Sequence, residues 1–134
     1  MANTTFSGPV RSENGFEQIT KNATTGAVTV SATYGASITG GVQSLSGAGA
    51  VDLTNLVTEL TTTGANALTL ADGTTSGQIK IVNMIVDGGD GTLTPTTFAN
   101  GTTITFDAVG ESATLVWNST IGWVATSVQG ATIA

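Results

Sequence analysis

The sequence predicts an all-β protein: a compact sandwich or barrel-like body of short antiparallel strands with an extended N-terminal arm. Three observations lead there. Thr occurs 27 times and Gly 18 times in 134 residues; β-branched side chains fit a pleated surface and Gly supplies turns. Apolar and polar residues alternate in several segments, which is the pattern of half-buried strands. Turn signals separate those segments at intervals of about 8–12 residues, as in sandwiches and barrels.

Residues 1–24 read as the arm. Phe6, Val10, Phe16 and Ile19 are its apolar anchors, with Arg11 and Lys21 as charge contacts. Gly8, Pro9 and Gly15 break any helix, and no regular period links the anchors. Residues 25–50 read as a strand followed by a linker: 27–34 alternates apolar and polar, and 35–50 is rich in Gly, Ser and Ala, the composition of a flexible connection.

Residues 51–134 read as the β body. Leu53, Leu56, Val57 and Leu60 fall at helical spacing. Thr54, Thr58 and the run Thr61-Thr62-Thr63 disfavour a helix, so a strand is expected there. The most apolar run is 78–86. Ile79, Ile81 and Ile85 share one parity with Asn83, while Val82, Met84 and Val86 share the other with Lys80. Apolar residues on both parities suggest a strand buried on both faces. Asn100-Gly101 signals a two-residue hairpin of type I′. Ile104 and Phe106 then alternate with Thr103 and Thr105. Trp117 and Trp123 flank a turn centred on Thr120; paired as a hairpin, they face one another across the ladder, a contact of about 0.5–1.5 kcal/mol beyond burial. Ile79, Ile81, Ile85, Ile104, Phe106, Trp117 and Trp123 are thus the expected core or subunit-packing residues. The stretches 79–86 and 115–124 exceed what one face of a small sheet can hide, and symmetric closure between subunits would bury the remainder.

Composition narrows the function classes. The chain has no Cys and no His, so disulfides, thiolate or imidazole metal sites and His-dependent nucleophile triads are excluded. Three basic residues against nine acidic ones do not make the basic face that nucleic acid requires. No apolar run approaches the roughly 18 residues of a membrane helix, and the N-terminus lacks the layout of a signal peptide. Asp87-Gly88-Gly89-Asp90-Gly91 offers two carboxylates to a hard cation, but its spacing fits neither an EF-hand nor a calcium nonapeptide; a reverse turn accounts for it and no metal is expected. Asp107 and Glu111 flank another turn, without the aromatic-lined cleft that a carboxylate-pair glycosidase needs. Trp117 and Trp123 read either as a sugar platform or, preferably, as buried packing. No catalytic residue and no cofactor is expected, and the chain reads as a non-enzyme.

Several of these motifs resemble a known group. Leu68-Thr69-Leu70-Ala71-Asp72-Gly73, Gly77-Gln78-Ile79-Lys80, Asp87-Gly88-Gly89-Asp90-Gly91-Thr92-Leu93-Thr94-Pro95, Gly101-Thr102-Thr103-Ile104-Thr105-Phe106 and Leu115-Val116-Trp117, with the opening residues 1–12, look like small virion proteins of marine tailed phages. The resemblance is good at the two ends and poor over 25–60. It implies a head decoration (cement) protein on the capsid exterior, bound to the major capsid protein, often as a homotrimer, with neither nucleic acid nor membrane as partner. The same turn-strand motifs recur in tail fibres, so a tail-fibre or adhesin-like receptor-binding β domain is the alternative.

Overall fold

The computed structural model describes residues 16–34 and 41–134. The chain divides into two compact units, 1–39 and 40–134. In the first, β1 (Phe16–Lys21) pairs antiparallel with β2 (Val28–Tyr34), with a register shift between Gln18 and Ile19. Asn22 makes the turn: its Oδ1 accepts the N–H groups of Thr24 and Thr25, the local bonding that suits Asn to turns. The strand expected over 27–34 is therefore present. The end of the expected arm is its hairpin partner rather than an extended tail. Phe6, Val10 and Arg11 lie outside the described residues.

The second unit contains β3 (Val42–Ser46), β4 (Gly49–Val51), β5 (Val57–Thr61), β6 (Asn66–Leu70), β7 (Ile79–Val86), β8 (Gly91–Pro95), β9 (Ile104–Phe106), β10 (Ser112–Asn118), β11 (Gly122–Gln129) and β12 (Thr132–Ile133). They form two sheets. Sheet I has the order β11-β10-β7-β5-β3 and sheet II the order β12-β9-β8-β6-β4. The two share one core, so the body is an all-β sandwich.

Strand pairing departs from the antiparallel expectation. From β3 to β8 the chain passes alternately through sheet I and sheet II. Successive strands of one sheet therefore run the same way: β3, β5 and β7 pair in parallel, as do β4, β6 and β8. The result is a flattened coil of three turns. Its corners stack through backbone hydrogen bonds, Gly47 N–H donating to Thr61 O and Thr62 N–H to Val86 O. The antiparallel strands β9 to β12 then close one end of both sheets, as the end of a stacked array requires a cap. The Gly/Ser/Ala-rich stretch read as a linker carries β3 and β4 and belongs to the body from 41 onward. Leu45 packs on the core and Val51 is buried.

Alternation decides what is buried. Leu68 and Leu70 on β6, Leu93 on β8, Ile104 and Phe106 on β9, and Leu115 and Trp117 on β10 all turn inward. Val82 and Met84 do so on β7, together with Lys80. The strand read as buried on both faces thus has one buried face. Ile79 and Ile85 are exposed and Ile81 is half-buried. Asn100-Gly101 is not a type I′ hairpin, since among the described residues only glycines have positive φ and Gly101 is not one of them. Asn100 Oδ1 instead accepts the N–H of Ala125, and Gly101 lies against the carbonyl of Ala134.

The tryptophan hairpin forms as expected. Trp117 pairs with Trp123, their ring centroids 5.4 Å apart and tilted by 59°, a geometry favoured by the ring quadrupoles. Trp123 Nε1–H donates to Ala71 O at 2.9 Å, so the buried indole has a partner. The loop 96–99 is stitched to this hairpin: Trp123 N–H donates to Thr97 O and Ala99 N–H to Trp123 O. Gly122 permits the approach. Its φ is 93°, and a Cβ there would lie 2.6 Å from Thr97 O. Gly122→Ala is expected to destabilise the body by about 1–3 kcal/mol through strain and overpacking. Denaturant unfolding followed by tryptophan emission checks this, and an unchanged midpoint would contradict it.

Candidate interaction site

A polar cluster forms around the buried side chains of Lys80 and Thr58. It is built on the connection from β4 to β5, where Asp52 Oδ1 accepts the N–H groups of Thr54 and Asn55, and Asn55 Nδ2 donates to Asp52 Oδ2. Lys80 reaches it from β7 with only 1% of its side chain exposed; its Nζ donates to Asn55 O at 2.8 Å and stands 3.7 Å from Asp52 Oδ1. Gln43 on β3 closes the cluster. Its Oε1 accepts from Asp52 N–H and from the Thr58 hydroxyl, and its Nε2 donates to Ala50 O. Among the described residues no buried side-chain polar atom lacks a partner.

The ionisation of this pair follows from its surroundings. Burial lowers the Lys80 pKa below the ordinary lysine range, and the Asp52 charge opposes that shift only in part. For Asp52, burial pushes upward, but the hydrogen bonds from Asn55 and Thr54 and the charge of Lys80 together hold the carboxyl below its usual value. These contacts join three strands and their connection through the protein's own groups; the arrangement is structural.

The outer faces of the two sheets differ. On sheet I the registers align Val42, Val57 and Ile81 in one cross-strand row, and Ile79, Val116 and Val124 in the next. Val42 is 53% exposed and Ile79 46%. The following row is polar, with Ser44, Glu59, Asn83 and Ser112. On sheet II the outward residues are Ala67, Thr69, Thr92, Thr94 and Thr105, a face of hydroxyls and small methyl groups. Beside it, Pro95, Phe98 and Thr102 line a shallow hollow of about 410 Å³.

The structure separates the residues expected for core or subunit packing. Ile104, Phe106, Trp117 and Trp123 are core, whereas Ile79, Ile81 and Ile85 point outward from sheet I. Both indoles are buried, Trp117 at 7% exposure and Trp123 at 0%, so they offer no sugar platform. Of the arm residues, Phe16, Ile19 and Lys21 fall in β1, and Lys21 is exposed. At the 87–91 loop, Asp87 Oδ1 accepts Gly89 N–H and Gly88 N–H donates to Thr62 Oγ1, a turn held against the neighbouring corner. Glu111 Oε2 accepts Asp107 N–H at 2.7 Å, so that pair also closes a turn. The Asp52 cluster escaped the sequence reading. Its signal was a lysine within an apolar strand, and the required partner lay in a connection read only as part of a strand.

The pair's pH dependence has a defined sign. Because the folded Asp52 pKa is depressed, its stabilising contribution is present above the ordinary carboxylate range and is lost as pH falls through the depressed value. Because the folded Lys80 pKa is also depressed, stability rises as pH climbs from that value to the ordinary lysine range, where only the unfolded chain still holds the proton. Asp52→Ala leaves a buried ammonium with one carbonyl and is expected to cost about 2–4 kcal/mol at neutral pH. Lys80→Met removes the charge and keeps the length; Asp52 stays partly exposed and held by Thr54 and Asn55, so the cost is expected to be the smaller of the two, about 1–2 kcal/mol for the Asn55 carbonyl left without its donor. Unfolding free energies measured from pH 2 to 11 test both, and an unchanged Asp52→Ala would contradict the assignment. In comparisons with known proteins, the chain matches no family model and no curated protein.

Proposed function

We propose that the chain is a structural virion protein that decorates the capsid exterior. It stabilises the shell by binding the major capsid protein, and it assembles as a trimer. The observation that carries this reading is the outer face of sheet I: contiguous β-branched apolar side chains with Glu59 at their margin, on a body whose opposite face is a shared, tightly filled core. Such a surface gains free energy by being covered, and the framework beneath it holds its shape while it is. The virion setting is supported by the resemblance of residues 1–12 and of the strand motifs to small phage virion proteins. The N-terminal segment, with Phe6, Val10, Phe16 and Ile19 as anchors and Arg11 and Lys21 as charge contacts, is the part proposed to reach the major capsid protein or a neighbouring copy. A segment that orders on binding buries surface but gives back part of the gain as lost chain entropy.

Purified protein mixed with undecorated shells of its own virus is expected to bind saturably, at hundreds of copies per shell. Deleting residues 2–20 is expected to lower that occupancy at least ten-fold. Unchanged occupancy of the deletion would remove the N-terminal segment from the contact. A handful of copies at the tail of purified particles would favour the receptor-binding alternative.

A further inference from the structure

We propose that the outer face of sheet I is the surface through which copies of this chain pack against one another. This rests on the self-assembly part of the function proposed above and assigns the face that does the joining.

Its chemistry is the first argument. Two adjacent rows, Val42–Val57–Ile81 and Ile79–Val116–Val124, place six β-branched apolar groups side by side across all five strands. Single exposed apolar residues are ordinary, whereas contiguous rows mark an interaction surface. Charge is the second argument. Among the described residues of its strands, Glu59 is the one ionisable side chain on this face, in a chain with nine acidic and three basic residues. It sits one row beyond Val57, about 7 Å along the strand, at the margin of the apolar rows. A partner chosen by charge would find almost nothing here to pair with. A second copy meets rows without charge, with Glu59 at their margin.

Area is the third argument. Five strands about 4.8 Å apart, with strands of 5 to 8 residues at the centre, project roughly 500 Å² before side-chain relief is added. That is somewhat over half of the about 800 Å² per partner that a standard association buries, and side-chain relief adds to it. Around a three-fold axis part of the face meets one neighbour and the rest meets the other, with Val and Ile side chains interleaved as between packed sheets. The opposite outer face, on sheet II, carries Thr hydroxyls that remain well solvated in water and gains little by being covered.

Sedimentation equilibrium of the full chain at micromolar concentration tests the assignment. The parent is expected at three times its 13.3 kDa chain mass. Ile79→Glu and Val42→Glu, at positions already half-exposed, are each expected to sediment as monomers where the parent is assembled, with circular dichroism and tryptophan emission unchanged. The milder Ile79→Thr keeps the β-branched shape and is expected to weaken assembly several-fold. Thr94→Glu on sheet II is expected to leave assembly intact. A monomeric parent would overturn both the self-assembly reading and this face. An assembled parent whose Ile79→Glu, Val42→Glu and Ile79→Thr variants all stay assembled, or whose Thr94→Glu variant falls apart, would overturn the face alone.

Discussion

Alternate side chains on both sheets converge on one apolar layer, and the body depends on that shared layer. Leu60 and Val82 from sheet I meet Leu68, Leu93 and Ile104 from sheet II. Neither sheet can exist without the other covering it, because each inner face would otherwise stand in water. The constraint also fixes the outside. A strand has period 2, so every residue that enters the layer sends its neighbours to the opposite face. Placing Val82 and Met84 inward puts Ile79, Ile81 and Ile85 outward. The exposed apolar rows are therefore a fixed consequence of the register, and they cannot be hidden without losing the core.

The lysine in the interior obeys the same constraint. Lys80 shares the parity of Val82 and must enter the layer at the end of β7. There the connection from β4 to β5 supplies a carbonyl, a carboxylate and the Gln43 amide nearby. A buried ion pair is weak evidence of added stability, because desolvation offsets much of the attraction. Its effect here is to tie three coils together at one edge, where the hydrophobic layer gives way to polar contacts. That makes the pair a device for setting register, since a shift of β7 by one residue would send the ammonium outward and the isoleucines into the core.

How much of this the sequence discloses depends on how far apart the interacting parts lie. The all-β class follows from composition and alternation. The Trp117–Trp123 hairpin is legible because five residues separate the partners and both strands alternate cleanly. The stacked parallel strands are not. Their registers step by 15 and 24 residues in sheet I, from Val42 to Val57 to Ile81, so no fixed period betrays a repeat. Parallel and antiparallel strands also share the same alternation. In β7 the two parities are plain, but the buried one contains the lysine, and only the distant Asp52 and Asn55 explain why. The stretch 35–50 looks like a linker because Gly and Ser serve at stacked corners as well as in loose loops. Leu45, with Val51 just beyond, marks residues 41–50 as part of the body.

The proposed function rests on the difference between the two outer faces, one hydroxylated and one apolar. Hydroxyl-radical footprinting of the chain in its assembled state, compared with the dilute chain, measures that difference at the side chains themselves. Strong protection of Val42, Ile79 and Ile81 is expected on assembly, with Thr69 and Thr94 labelled as in the dilute chain. Equal labelling of Val42, Ile79 and Ile81 in both states, or protection centred on the Thr face, would contradict it.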